Sequence, residues 1–194
     1  MKKTIAMVMV ATAMTAGAAS AQASRTHAAG MPRAAVMVGG QSMLPSRDIV
    51  DNAVNSADHT TLVAAVKAAG LVETLKGRGP FTVFAPVNDA FENLPEGTVT
   101  TLLRPESKAA LTKVLTYHVV PGRYTAAELM RLIRVGRGTA TLRTASGGTL
   151  TAMMNGPMNV VVRDESGNVA NVTTYDVRQS NGVIHVINKV LLPK

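Results

Sequence analysis

Residues Gly79 to Pro95 read GPFTVFAPVNDAFENLP. In this stretch Phe81, Val83 and Ala85 alternate with Thr82 and Phe84, so a strand here carries apolar side chains on both of its faces. Pro86 ends the strand. Asn88 or Asp89 can cap a short helix carrying Ala90, Phe91 and Leu94, which Pro95 stops. A strand apolar on both faces must be covered on both, so it belongs to the middle of a layered domain rather than to its rim.

Helical patterns flank this strand. On the N-terminal side, DIVDNAVNSA places Ile49, Val50, Ala53 and Val54 on one face. Capping side chains from Asp58 to Thr61 precede LVAAVKAA, where Leu62, Val63 and Val66 share a stripe, and Gly70 is suited to end that helix in a left-handed conformation. LVETLKG adds a turn or two up to Gly77. On the C-terminal side, RPESKAALTKVLT has Pro105 near its first turn and Leu111, Val114 and Leu115 on one face, and it leads into YHVVPG. Read as a strand, that segment sends Tyr117 and His118 to opposite faces.

After one more helical piece, TAAELMRLI, the texture changes to Thr- and Val-rich runs: GTATLRTA, GTLTAMM, MNVVVRD, NVANVTTYDV and GVIHVINKVLLP. Ser146-Gly147-Gly148, Asn155-Gly156-Pro157 and Glu165-Ser166-Gly167-Asn168 separate them with hairpin chemistry. The expectation is one α+β domain over residues 48–193, mainly helical first and an antiparallel meander afterwards.

The N-terminus reads differently. MKK followed by TIAMVMVATAMTAGAA and Ala19-Ser20-Ala21 has the n-region, apolar core and small-x-small site of a secretory signal over residues 1–21, with Ala21 or Ala23 as the cleavage point. No transmembrane anchor then remains. Residues 22–47, rich in small residues with Gly-Gly and two prolines, read as a flexible lead-in. The chain of 194 residues is 46% hydrophobic and only 3% aromatic, with no Trp, so aliphatic and Met side chains must fill the core. The absence of Cys excludes disulfides, thiolate zinc sites and thiol chemistry together.

Formal net charge is +8, and removal of Lys2 and Lys3 with the signal leaves +6 (8 − 2). Arg123, Arg131, Arg134, Arg137, Arg143 and Arg163 face only Glu128 before Asp164. That bias is either an ordinary solvated face or an attraction for acidic polysaccharide and lipid headgroups.

Chemistry-bearing patterns are missing. There is no Gly-x-Ser-x-Gly elbow and no phosphate loop, and the Gly-x-Gly of RVGRGTATLR precedes a strand, where it makes a turn. His59, His118 and His185 lie far apart in sequence without a His-x-x-x-His pair, and His27 sits alone in the lead-in. The expectation is no catalytic group, no metal and no cofactor. His118 then has two open readings, a hydrogen bond that fixes the break at Pro121-Gly122 or a contact with a partner.

GPFTVFAPVNDAFENLP, LTYHVVPGRYTAAEL and SNGVIHVINKVLLP, in this order and spacing, resemble the fasciclin domain family over residues 46–193. The resemblance implies helices packed on a wedge-shaped antiparallel β-sandwich, no catalytic centre, and an exported adhesion or protein-interaction role. For site residues it points to Tyr117 and His118, and to Asp176-Val177, which stands where animal relatives carry an Asp-Ile pair. The implied partner is a surface or matrix protein, with an acidic glycan bound by Arg123, Arg131, Arg134, Arg137 and Arg143 as the alternative. Nucleic acid is not implied. A periplasmic or extracellular monomer or weak homo-oligomer fits the pattern. Val87 and Asn188 depart from it, standing where threonine and aspartate are usual.

Overall fold

The structure, a computed structural model, describes residues 35–194. The signal segment expected at 1–21 and the first part of the lead-in lie outside the described residues. Strand β1 (Val36–Val38) and strand β2 (Gln41–Met43) form a small antiparallel hairpin, Val36 opposite Met43. The second half of the expected flexible lead-in is therefore ordered, because Val38 and Met43 bury into the core. Gly39 and Gly40, read from sequence as signs of flexibility, instead form the left-handed turn of this hairpin, at φ 57° and 73°.

Helices follow at α1 (Ile49–Ala53), α2 (Thr60–Ala69) and α3 (Val72–Lys76). Asp48 caps α1 by accepting from the Asp51 N–H at 2.8 Å, and Gly70 closes α2 in the left-handed region at φ 73°. Strand β3 (Phe81–Pro86) then crosses the centre of the molecule. Helix α4 (Asn88–Glu92) begins without a side-chain cap of its own, since the Asn88 amide turns to α2, accepting from the Thr61 N–H at 3.0 Å and donating to Ala57 O at 2.8 Å. Helix α5 (Thr98–Leu102) arises from a Thr- and Val-rich run that carries no clear helical period in sequence.

Helix α6 (Lys108–Tyr117) leads into β4 (Val119–Pro121), and α7 (Ala126–Val135) into the meander β5 (Thr139–Arg143), β6 (Thr149–Met154), β7 (Val160–Arg163), β8 (Val169–Gln179) and β9 (Gly182–Ile187). One seven-stranded sheet results, in the order β4-β3-β9-β8-β7-β6-β5. The expected α+β fold with its mostly antiparallel β-layer is present, the strands forming a curled, barrel-like sheet that is antiparallel except for β3 and β9, which run parallel from Phe81↔Gly182 to Pro86↔Ile187. Its two ends approach each other where the Ala145 N–H, just past β5, donates to Val119 O in β4 at 2.7 Å.

The double-sided strand expected at 81–86 sets where the core lies. Val83 and Ala85 join Ile184 and Val186 under Ile49, Leu62, Val66 and Leu115 of the helical layer. Phe84 and Ile187 face the inside of the curl, where Leu129 and Ile133 of α7 meet Leu142, Leu150 and Val162. Burial of each such side chain is worth roughly 1.5–3 kcal/mol, so the two clusters, back to back on β3 and β9, hold the helices and the meander to a common spine.

Candidate functional site

Tyr117 and His118 do not alternate across a strand. Tyr117 is the last residue of α6, and His118 is its C-cap with helical φ and ψ of −81° and −6°. Leu111, Leu115 and His118 fall at i, i+4 and i+7, so the helical stripe runs on through His118 until Val119 and Val120. Both side chains are buried, Tyr117 at 0% exposure and His118 at 3%. Neither offers a surface to a partner, which removes the direct-contact reading of this pair.

Their polar atoms are spent inside. The Tyr117 hydroxyl donates to Thr149 O at 2.7 Å and accepts from the Glu165 N–H at 3.0 Å, linking α6 to the start of β6 and to the β7–β8 turn. Burial pushes its phenol pKa up to about 12. His118 Nδ1 lies 2.8 Å from Val114 O, and Nε2 lies 2.9 Å from the Leu191 amide nitrogen. A carbonyl only accepts and an amide only donates, so Nδ1 carries the proton and Nε2 is the acceptor. Burial holds the imidazole neutral, with its pKa lowered to about 4. His118 thus bonds backbone at both ring nitrogens, one partner near in the chain and one distant, neither of them at the Pro121-Gly122 break.

Asp176 and Val177 lie elsewhere, and no hydrogen bond among the described residues joins them to Tyr117 or His118. Val177 is 1% exposed and belongs to the helical-side core. Asp176 sits at φ 54°, inside the register shift of β8 between Thr174 and Val177. Aspartate tolerates the left-handed region better than most residues. Its Oδ1 accepts from the Ala126 N–H at 2.7 Å, in the first turn of α7, where a carboxylate meets the positive end of the helix dipole. Its own N–H donates to His185 Nδ1 at 3.4 Å.

His185 completes this second cluster. Its Nε2 donates to Tyr124 O at 2.8 Å, and its ring stacks on Phe84 with centroids 5.7 Å apart while Tyr175 approaches edge-on at 6.1 Å. Burial lowers its pKa. By strand alternation His185 shares the inner face of β9 with Val183 and Ile187.

Sequence reasoning passed over Asn181. Its Oδ1 accepts from the Ile49 N–H at 3.1 Å, and its Nδ2 donates to Leu75 O at 2.8 Å and Gly77 O at 3.2 Å. One amide at the β8–β9 turn thus ties down α1 and the end of α3. The Asn-Gly pair in SNGVIHV was the available signal, because Gly182 admits no side chain: a Cβ there would meet Phe81 O at 2.3 Å. Asn188, at the position of a usual aspartate, accepts from the Asn171 N–H at 2.8 Å and so stitches β9 to β8.

The arginines divide. Arg123 reaches Ser180 O at 3.5 Å and lines a cleft with Lys76, Arg78 and Asn181. Arg131 is held by Glu128, at 3.0 Å from Nε and 2.7 Å from Nη2. Arg134 lies in the last turn of α7, Arg137 follows its Gly136 C-cap at φ 55°, and Arg143 ends β5 on its exposed face. Among the described residues, no group of three or more His, Cys, Asp or Glu side chains gathers where a metal ion could be held.

With this geometry in view, comparison with known proteins is informative: the fasciclin domain model matches residues 57–193. The chain belongs to the fasciclin domain family. This fasciclin protein is 49% identical over 146 residues to protein sll1483 of Synechocystis, covering 75% of this chain and 73% of that one. It is 32% identical over 172 residues to immunogenic protein MPB70 of Mycobacterium bovis, covering 86% of this chain and 78% of that one. Its fold is similar to that of a fasciclin domain pair from the insect cell adhesion molecule fasciclin I, with a TM-score of 0.66 at 20% identity, over 77% of this chain and 52% of that one. The three motifs of the family thus map onto scaffolding: β3, the α6 cap with its backbone bonds, and the Asn181–His185 turn and strand.

Proposed function

We propose that this fasciclin protein is an exported, non-catalytic interaction module that contributes to adhesion or matrix contact at the cell envelope, as the family resemblance implies. The observation that carries the reading is the state of the two motif histidines. His118 and His185 each have both ring nitrogens engaged by backbone groups. A base held this way has no lone pair or proton to offer a substrate. What the motifs provide is a rigid body, and a rigid body serves recognition through its outer shape. The signal-like N-terminus supports export, and among the described residues no helix is long and apolar enough to cross a membrane.

The partner surface follows from what remains exposed. Tyr117, His118 and Val177 act on binding only through the fold, whereas Asp176 is half-buried and presents part of its carboxylate at the α7 start. Crosslinking in the native host, followed by capture with the purified protein, is the test. A specific surface or matrix protein should be recovered by the wild type, and charge-reversing substitutions on the exposed rim around Asp176 should lose it. Recovery of a turned-over small substrate instead would sink the reading.

A second reading, attraction for acidic polysaccharide or lipid headgroups, is favoured by one feature of the sheet. Arg143 and Arg163 emerge from the same outer face, with Thr149 and Thr151 of β6 between them, since Arg143 pairs with Thr149 and Arg163 with Thr151. Strand spacing places the two Cα atoms about 12 Å apart, a span suited to successive anionic groups on a polymer. Binding through this face should weaken steeply with salt, because the Debye length falls from ~10 Å at 0.1 M to ~3 Å at 1 M. Retention on an anionic polysaccharide column that ignores salt, or no retention at all, excludes it.

A further inference from the structure

The helical layer does not close completely on β3 and β9. A cavity of about 280 Å³ lies between them, walled by Ile49, Val50, Leu62, Val66, Ile184 and Val186, with Val54, Lys67 and Lys76 among the exposed residues at its margin. Protein interiors hold few voids larger than a water molecule. An engineered apolar cavity of ~150 Å³ stays dry and takes up benzene. This one is nearly twice that volume, and its wall is almost entirely hydrocarbon.

One polar group in the wall is unfinished. Both histidines that line the cavity are buried, His59 and His118 at 3% exposure each. His118 is satisfied at both nitrogens, as described above. His59 is satisfied at one, where Nδ1 lies 2.9 Å from the Ser56 hydroxyl. Its Nε2 is buried with no hydrogen-bond partner among the described residues. Burial keeps the ring neutral by lowering its pKa, a shift that Asp58 and the Ala85 backbone oppose only in part. A buried ring nitrogen left without a partner carries a desolvation cost that a single hydroxyl, able to donate or accept, would remove.

We propose that this cavity is a binding site for a small neutral amphiphile, with an apolar body of about ten carbons or two fused rings and one hydroxyl that forms a hydrogen bond with His59 Nε2. The volume sets the size of the body, the hydrocarbon wall its apolar character, and the unpartnered His59 Nε2 fixes the single polar point. The ligand lies among α1, α2, α3 and the central strands, so the occupied state stabilises the helical layer by mass action.

The test uses the purified protein with 1-decanol and 2-naphthol as probes and naphthalene as the control without a hydroxyl. Amide NMR shifts should concentrate at Val50, Val66, Ile184 and Val186, and the thermal midpoint should rise with probe concentration. In the wild type 2-naphthol should bind about tenfold more tightly than naphthalene, a gap of ~1.4 kcal/mol that His59→Leu should erase. Val66→Phe, which fills the cavity, should abolish binding of all three. The wild-type shift map and the wild-type preference decide the matter even where a variant fails to fold. Absence of shifts at these amides, shifts confined to another region, or equal affinity for 2-naphthol and naphthalene in the wild type would each overturn the proposal.

Discussion

His118 and Leu191 are joined across 73 residues of sequence, the Leu191 N–H donating to His118 Nε2 at 2.9 Å while Nδ1–H of the same ring donates to Val114 O at 2.8 Å. The end of α6 is thereby clamped to the segment that follows β9 by one imidazole that must stay neutral. Protonating Nε2 turns an acceptor into a second donor, and the Leu191 amide loses its partner.

Stability should therefore fall on mild acidification. The pKa of His118 in the fold, about 4, is below its ordinary value of 6.5. Between those values the unfolded chain takes up a proton that the fold refuses, so stability falls as pH drops from 6.5 toward 4 and is indifferent to this group above 6.5. From pH 6.5 to 5 the loss from His118 alone is about 1.6 kcal/mol, and His59 and His185, also lowered, act in the same direction. Urea unfolding at pH 7.5, 6.5, 5.5 and 5.0 measures it. His118→Gln should be less stable at pH 7.5 and flatter across the window, and a wild-type profile flat from 6.5 to 5 would contradict the clamp.

Tyr117→Phe removes a hydroxyl that serves two backbone groups, Thr149 O and the Glu165 N–H. Leaving these buried groups without that partner should cost about 2 kcal/mol, with the ring's packing untouched. Gly148→Ala should do comparable damage from the other side, because a Cβ there would sit 2.8 Å from Tyr117 Cε2. Chemical denaturation measures both. An ultraviolet titration of the wild type should show one of the three tyrosines ionising only near pH 12.

Much of this arrangement was legible in the chain. The two-faced strand at 81–86, the left-handed Gly70 cap and the meander after Tyr124 all follow from local period and turn chemistry. What was not legible depended on partners remote in sequence. Tyr117 looked like a strand residue because β-branched Val119 and Val120 follow it, yet the helical stripe through Leu115 and His118 prevailed. Gly39 and Gly40 looked flexible, but a Cβ on Gly39 would meet Ser56 Oγ at 2.5 Å, so the glycine is there for close packing. The second bond of His118, the Asn181 anchor and the bond from Asp176 to α7 each join groups 50 or more residues apart, beyond the reach of any periodicity.

Asn181→Ala tests the anchor at the β8–β9 turn. Three backbone groups, the Ile49 N–H and the Leu75 and Gly77 carbonyls, lose their partner at once. A loss of about 2–3 kcal/mol is expected, concentrated in the helical layer. Hydrogen exchange should show earlier opening of α1 and α3 than of β5–β7. Uniform loosening of the whole domain would mean that the amide does not act as a local tie.

Asp176 separates structure from recognition, because its two roles respond to different substitutions. Asp176→Asn keeps an oxygen for the Ala126 N–H and a side chain tolerant of the left-handed backbone, so stability should fall by less than about 1 kcal/mol. Asp176→Ala loses the cap and places a less tolerant residue at φ 54°, and should cost about 2 kcal/mol. If the residue serves only the fold, partner capture should follow this order of stability, with the Asn variant close to wild type. If the carboxylate also meets a basic partner, the Asn variant should lose capture despite its near-native stability. Unfolding midpoints and capture yields measured side by side on the two variants distinguish these cases, and equal loss of stability in both would refute the capping role.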